Sequence, residues 1–506
     1  MKSKPSQMEG PRVAVNAALV YGSTLASIAL GFVIKILLTR ALSPLDLGLL
    51  FTGQMIVAMG QTLALLSLPD AVARFVGVYA VGAMGKAKRV LLDALTMNLG
   101  AVAFTVAVLV AGAPYVANVL YRQPELGWVM VWLALALPFV TLTEILAGAS
   151  RGLGRIWVKV ACLDLARPLW VILALGALLL VGVNRLPSVV AVYAIGALVV
   201  GFLTVIAFRR DRRWSTHAEG DSKREVLGYS LPLLANGLAT WPSMLIPLWL
   251  GSLVSPQVVS FFNLSATLAN FIYMPVIAVE FAILPVWAGL IAQGNRVEIE
   301  RLYLQTTRWC FIFGSIVFVL LFVCPEAVLT LLYGSAYVEG APVLRVLALA
   351  VMAGAITGTN NSLLYAFGHT RQVLLGTATG GAIALVGTYP FILGWGLTGG
   401  LMIFLAAQVV GIALYAIFLF WREGVHPLHG NYLKTLLAAG GALTVVALMR
   451  SALPGDLLGA VTLAGLYIVL LFGGLLALRT FDADDTKLIG RACAALDEFL
   501  RMRSTT

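Results

Sequence analysis

Six ionisable side chains lie inside long apolar stretches of this sequence, where a charge is expensive. They are Lys35, Asp70, Arg74, Asp164, Arg167 and Glu280. A charge at the centre of a membrane helix costs about 2.5–3.5 kcal/mol on insertion scales, and such residues usually face a cavity or a partner. Lys and Arg suit phosphate groups. We therefore expect a cavity in which cations contact anionic groups such as phosphate and carboxylates contact hydroxyl groups or a coupling ion, H⁺ or Na⁺.

The spacing of these residues leaves a second interpretation open. Asp70 and Arg74 are four positions apart, and Asp164 and Arg167 are three apart, so each pair would share a helix face and neutralise itself. Lys35 has no acidic residue within one helical turn, and Arg40 lies at the outer end of the same stretch. Lys35 and Arg40 are expected to line the cavity, with snorkelling of Lys35 to the interface as the alternative.

Amide and proline residues add to the candidate site. Asn236, Asn263 and Asn270 would bind sugar hydroxyls or join helices by hydrogen bonds, and the same alternatives hold for Asn360 and Asn361. Pro232, Pro242 and Pro247 are expected to bend the seventh span and to serve as a hinge. Asp93 and Glu144 are interpreted as interfacial.

Composition requires membrane helices to hold these side chains. Of 506 residues, 60% are hydrophobic and 11% charged, and the mean hydropathy is +0.95. A soluble domain has about 25% charged residues, so a soluble enzyme or a nucleic-acid binder is excluded. Runs of the spanning length predict an all-α integral membrane protein of about fourteen transmembrane helices, near 17–40, 47–80, 90–112, 127–148, 157–182, 188–208, 227–252, 256–290, 304–325, 342–366, 373–393, 398–420, 432–450 and 456–478.

The basic residues orient these spans. With the N-terminus in the cytoplasm, most of the 34 Lys and Arg residues fall on the cytoplasmic side. The outer side receives Arg40, Arg122, Arg185, Arg345 and Arg450. This asymmetry follows the positive-inside rule and predicts a multi-pass protein of the cell membrane with both termini cytoplasmic. Anionic lipid accounts for the net charge of +11, and no nucleic-acid partner is expected.

Short sequence segments recur along the chain at a nearly constant separation. Leu42-Ser43-Pro44 and Leu120-Tyr121 return 212 positions later as Val254-Ser255-Pro256 and Leu332-Tyr333, while Gly85 matches Gly294 and Gly154 matches Gly368. Six spans per copy make the repeat parallel. The predicted domains are an N-lobe at 1–208, a basic cytoplasmic linker at 209–226, a C-lobe at 227–422, an added helix pair at 423–479 and a cytoplasmic amphipathic helix at 480–506.

Cysteine and histidine give no sign of a metal site. The cysteines Cys162, Cys310, Cys324 and Cys493 form no CxxC motif and are expected to be small buried hydrophobes. His426 and His429 are separated by Pro427 and lack a nearby acidic ligand. We expect no metal, no cofactor and no removable signal peptide.

The opening segment YGSTLASIALGFVIKILLTRALSPLDLGLL and the later LLYGSAYVEGAPVLRVLALAVMAGAITGTNNSLLYAFGHTRQVL resemble the polysaccharide-synthesis branch of the multidrug/oligosaccharidyl-lipid/polysaccharide flippase superfamily. This resemblance implies two six-helix lobes around a central cavity that opens alternately to each side. It also implies an oligosaccharide on a polyprenyl phosphate or diphosphate as substrate. The branch contains a lipid II flippase with a cationic cavity, whose arginine pattern this sequence matches only loosely.

Two other function classes remain open at this stage. A cation-coupled drug or metabolite antiporter of the same superfamily would share the fold. A membrane glycan polymerase or glycosyltransferase would need catalytic residues on sizeable outer loops, and the longest outer connection, 113–126, has only Arg122 and Glu125 as charges. We therefore expect a transporter rather than an enzyme. It would act as a monomer, with lipids and other glycan-assembly proteins as partners.

Overall fold

The computed structural model describes residues 9–80, 82–209, 220–239, 241–426, 429–452, 457–480 and 485. Within these ranges the chain is helical and has no strand. The helices are α1 (Glu9–Ala41), α2 (Pro44–Leu65), α3 (Leu68–Tyr79), α4 (Met84–Tyr115), α5 (Pro124–Gly152), α6 (Ile156–Val158), α7 (Arg167–Val181), α8 (Leu186–Arg209), α9 (Lys223–Leu238), α10 (Trp241–Leu253), α11 (Pro256–Ala292), α12 (Arg296–Val323), α13 (Pro325–Tyr333), α14 (Ala341–Thr357), α15 (Asn360–Ala366), α16 (Thr370–Glu423), α17 (Gly430–Met449) and α18 (Leu457–Ala477). π-helical turns occupy Val116–Leu120 and Lys159–Ala166, and 3₁₀ turns occupy Ser335–Gly340 and Arg450–Ala452.

The all-α membrane fold predicted from the sequence is confirmed. Twelve helices among the described residues are long and apolar enough to cross a bilayer. One of them, α16, has 54 residues, but Gly396 has φ 56° and ψ −134° and interrupts it. An uninterrupted helix of that length would measure about 80 Å, far beyond the hydrocarbon thickness. The predicted span at 227–252 is formed by the shorter α9 and α10, and the count of fourteen spans stays a prediction.

The predicted span at 47–80 is made of two helices rather than one. Leu66 and Ser67 both have left-handed backbone conformations, with φ of 49° and 54°, and they separate α2 from α3. A left-handed residue cannot continue a right-handed helix, and for side chains other than glycine it is uncommon. The kink turns Asp70, in the first turn of α3, to a new direction relative to α2.

Positions with positive φ recur along the chain and trace the internal repeat. Gly82 and Gly294 are 212 apart, as are Arg122 and Gly334, while Gly154 and Gly182 return 214 positions later as Gly368 and Gly396. The structural counterpart of Gly294 is therefore Gly82 and not the predicted Gly85. Gly82 has a positive φ, whereas Gly85, three residues later, lies inside α4. The match of Gly154 with Gly368 holds.

The chain divides into two compact units. The first comprises Met1–Asn263 with Thr388–Gly400, and the second comprises Leu264–Gly387 with Leu401–Thr506. In the first, α5 packs against α2, α3, α4 and α8. In the second, α12 packs against α14, α17 and α18. The domain boundaries predicted from the sequence stay predictions.

Three of the cysteines, Cys162, Cys310 and Cys324, are free and buried, as expected. The fourth, Cys493, and nearly all of the predicted amphipathic helix at 480–506 lie outside the described residues. The same holds for positions 210–219 of the predicted linker.

Candidate functional site

The amine of Lys35 contacts another predicted site residue that lies far away in the sequence. Its Nζ donates to the Asn263 side-chain Oδ1 at 2.9 Å and to the Asn263 backbone oxygen at 3.1 Å. It also lies 5.3 Å from the centre of the Phe51 ring. Lys35 is half-buried in α1, and all three residues belong to the first unit. An ammonium group is therefore held inside an apolar helix by neutral oxygens and an aromatic face.

Close backbone packing between α2 and the start of α11 places these residues. A Cβ atom at Gly48 would lie 2.0 Å from the Pro256 carbonyl oxygen, so only glycine allows the two helices to approach this closely. Pro256 begins α11, and Asn263 follows two turns later. Phe51 and Met55 are one turn apart on α2, and the Asn263 amide nitrogen lies 3.8 Å from the Met55 sulfur.

Asp164 forms its ion pair with a residue other than the predicted Arg167. It accepts a hydrogen bond from the Ser23 hydroxyl at 2.7 Å and lies 3.4 Å from Lys159 Nζ. The reason is the π-helical turn over Lys159–Ala166. In a π-helix, hydrogen bonds run from i to i+5, which brings Lys159 and Asp164 onto one face, whereas Arg167 begins α7 with an exposed side chain.

The predicted pairing of Asp70 with Arg74 is also replaced. Asp70 forms its ion pair with Arg151 at 3.0 Å. The Arg74 guanidinium instead lies over the Tyr229 ring of α9, 4.4 Å from its centre. Asp70 is 61% exposed as a side chain, so this pair contributes little to stability. Arg40 is exposed at the end of α1.

Glu144 of α5 belongs with these charges, although the sequence suggested an interfacial role for it. It lies within the electrostatic field of Arg167, Arg151, Lys159 and Asp164. The first unit thus joins the predicted Asp164 and Arg167 to three residues that were not predicted as site residues: Glu144, Arg151 and Lys159. Arg151 and Lys159 were assigned only to the cytoplasmic surface. In the sequence, Arg151 and Lys159 lie on either side of the short connection between two predicted spans, and this position was the signal that could have identified them.

The remaining candidates occupy separate places. Asn270 is exposed and Glu280 half-buried, both in the second unit. Glu280 accepts hydrogen bonds from the side chain and backbone of Ser362, at the start of α15.

Among the candidates of the seventh span, Pro232 lies inside α9, Pro242 at the second position of α10 and Pro247 within α10. The side chain of Asn236 lies outside the described part of the structure. The seventh span comprises α9 and α10, and its bending at these prolines and its action as a hinge stay predictions.

Asn360 and Asn361 are two polar residues that lie next to the break between α14 and α15. α14 ends at Thr357, and Gly358, with φ 59°, separates it from α15. Within the described part of the chain, the buried Asn360 Nδ2 and Asn361 Oδ1 atoms have no hydrogen-bond partner. Buried polar groups are normally satisfied, so water or a ligand group is expected to contact these two atoms.

A buried ion pair in the second unit was not predicted from the sequence. Arg308 of α12 pairs with Asp485 and donates to the backbone oxygen of Thr480 at 2.7 Å. Asp485 also accepts from Trp309 at 3.1 Å and from Gln305 at 3.3 Å. The sequence placed Arg308 on the cytoplasmic surface and Asp485 in a polar tail, and no periodic pattern connects them.

Comparison with known proteins identifies the fold. The MatE family model matches residues 233–390. Among solved structures, a lipid II flippase, MurJ, in an inward closed conformation aligns with a TM-score of 0.71 and 12% identity, covering 91% of this chain and 98% of that one. The search of curated proteins gave no match.

Transporters of the same superfamily also align. An inward-facing multidrug resistance MATE transporter of the MOP superfamily has a TM-score of 0.65 and 13% identity, covering 79% of this chain and 94% of that one. A MOP superfamily transporter from Pyrococcus furiosus, described as having a binding pocket of reverse polarity, has a TM-score of 0.55 and 13% identity, covering 82% and 95%. The chain therefore has the fold that the MurJ flippase and the MATE transporters share.

Proposed function

We propose that the protein is a flippase that moves an oligosaccharide, linked to a polyprenyl phosphate or diphosphate, from the cytoplasmic to the outer leaflet by alternating access. The observation that carries this proposal is the Lys35 ammonium, held at membrane depth by Asn263 and Phe51. The Asn263 oxygens and the Phe51 ring hold the ammonium group in a fixed position within this helix. A diphosphate headgroup crossing hydrocarbon needs such a cation along its path.

The acids of the first unit complement this role. Asp164, Glu144 and Asp70 lie among basic residues, which keeps the local charge near balance. A site that must release its substrate benefits from contacts that are few and partly neutralised. These carboxylates also provide places for a coupling H⁺ or Na⁺ to bind, and we propose one of these as the coupling ion of a monomeric transporter.

The experiment is complementation of a deletion strain by Lys35→Ala, with membrane abundance and accumulated lipid-linked glycan measured in parallel. Export should fall at normal abundance, and Lys35→Arg should retain part of it. Lys223→Ala is the matched control, because Lys223 is exposed at the start of α9. Full export by Lys35→Ala at wild-type abundance would remove the cationic-path mechanism.

A second candidate is a cation-coupled drug or metabolite antiporter. The match of residues 233–390 to the MatE family model favours it, as do the MATE transporters among the structural matches. The same deletion strain separates the two. Accumulation of a lipid-linked glycan supports the flippase, whereas sensitivity to cationic drugs with normal glycan supports the antiporter.

A further inference from the structure

A long apolar groove lies on the first unit, among residues that the proposed transport path does not use. Its volume is about 700 Å³. Leucines and aromatic or branched side chains of α4, α5 and α8 line it, with one basic residue on each of the two outer helices: Lys88, Leu91, Leu92, Leu95, Leu142, Leu146, Val205, Phe208 and Arg209.

Helix packing explains the shape of the groove. α4 and α8 both pack on α5, so Leu142 and Leu146, one turn apart on α5, lie on its floor between the two. Leu92 remains 40% exposed at the α4 wall, so the groove is accessible from outside at this residue. A hydrocarbon chain is the ligand that such a surface accepts with the least desolvation cost.

The charges identify one end of the groove. Lys88 lies in the second turn of α4 and Arg209 in the last turn of α8, and both line the same groove. Two cations therefore mark the end of the groove that the positive-inside rule places at the cytoplasmic leaflet.

We propose that this groove is a binding site for one anionic diacyl phospholipid of the cytoplasmic leaflet. An acyl chain lies along the leucines, and the headgroup phosphate lies between Lys88 and Arg209. Basic pockets between membrane helices on the cytoplasmic side are the physical setting in which anionic headgroups bind. The site is independent of the proposed transport function, because it shares no residue with the Lys35–Asn263 contact.

The test is native mass spectrometry of the purified full chain, titrated with phosphatidylglycerol and, separately, with phosphatidylcholine of the same acyl chains. One phosphatidylglycerol should be retained in preference to phosphatidylcholine. Lys88→Gln with Arg209→Gln should weaken retention by about thirtyfold, since each basic residue near an anionic surface contributes about fivefold.

Two further variants separate the charge and the groove. Lys86→Gln removes the same charge two residues earlier on α4, outside the groove, and should leave retention unchanged. Leu92→Trp should fill the groove and lower retention without changing any charge. The proposal is overturned if phosphatidylcholine binds equally well, if Lys86→Gln acts as strongly as the double variant, or if Leu92→Trp retains the lipid. Displacement of the lipid by millimolar inorganic phosphate would also overturn it, because the site would then recognise free phosphate.

Discussion

At the scale of single residues, Asn263 determines how Lys35 presents its charge. Its carbonyl and amide oxygens accept two hydrogen bonds from the Lys35 amine, and Met55 contacts its amide nitrogen. The neutral amide fixes the position of the amine. A carboxylate in the same place would hold the amine in an ion pair.

Asn263→Asp should therefore lower glycan export by roughly tenfold or more, because a headgroup must compete with a fixed negative charge about 3–4 Å from the amine. Membrane abundance should stay normal, since the new pair is favourable in the resting protein. Asn263→Gln is the control that keeps the amide. Complementation of the deletion strain gives both values, and equal export by the Asp variant would show that the Lys35 charge is not used.

The pairing of Asp164 gives a second test at this scale. Lys159→Ala should destabilise the protein by about 1 kcal/mol, the usual net value of a partly buried charged hydrogen bond. Arg167→Ala should leave Asp164 with its partners Ser23 and Lys159, and should change stability by less than that. Thermal unfolding in detergent measures both. The reverse order of the two effects would contradict the π-helical register.

At the scale of elements, the approach of α2 to α11 depends on Gly48. Gly48→Ala should lower stability by about 1–3 kcal/mol, the cost of overpacking, because the Pro256 carbonyl cannot move away without shifting the helix. Gly31→Ala in α1 is the matched control, since a Cβ there meets nothing within 4 Å. The melting temperature of each variant in detergent gives the comparison. A Gly48 variant as stable as the Gly31 variant would show that the helices do not approach this closely.

Particular elements show how far the sequence allowed prediction. Apolar runs and glycines predicted most spans and several bends, since hydrophobic length and positive φ are local properties. The breaks at Leu66, Ser67 and Arg122 were missed, because these residue types rarely adopt a left-handed conformation. The Asp164 pairing was missed because helical spacing of 3.6 residues was assumed through a π-helical turn. The Lys35–Asn263 contact joins residues 228 apart, and only the fold brings them together.

At the scale of the whole molecule, the distribution of basic residues predicts an orientation that can be measured. In a variant without native cysteines, a cysteine at Val297, which is 79% exposed, should be shielded from an impermeant thiol reagent in intact cells. One at Ala336, exposed in the turn before α14, should react. In inverted vesicles position 297 should react and position 336 should be shielded, and both should react after permeabilisation. Labelling of position 297 from outside would reverse the orientation.

The Arg308–Asp485 pair has a consequence for the order in which the chain is made. Domains fold largely in the order of synthesis, yet Arg308 enters its helix long before Asp485 is translated, 177 residues later. Until Asp485 is translated, Arg308 lacks the carboxylate with which it pairs in the folded protein. A chain released early keeps this uncompensated charge, which costs about 3–5 kcal/mol once buried. We therefore expect a chain that is truncated before Asp485 to be less stable than one that contains it.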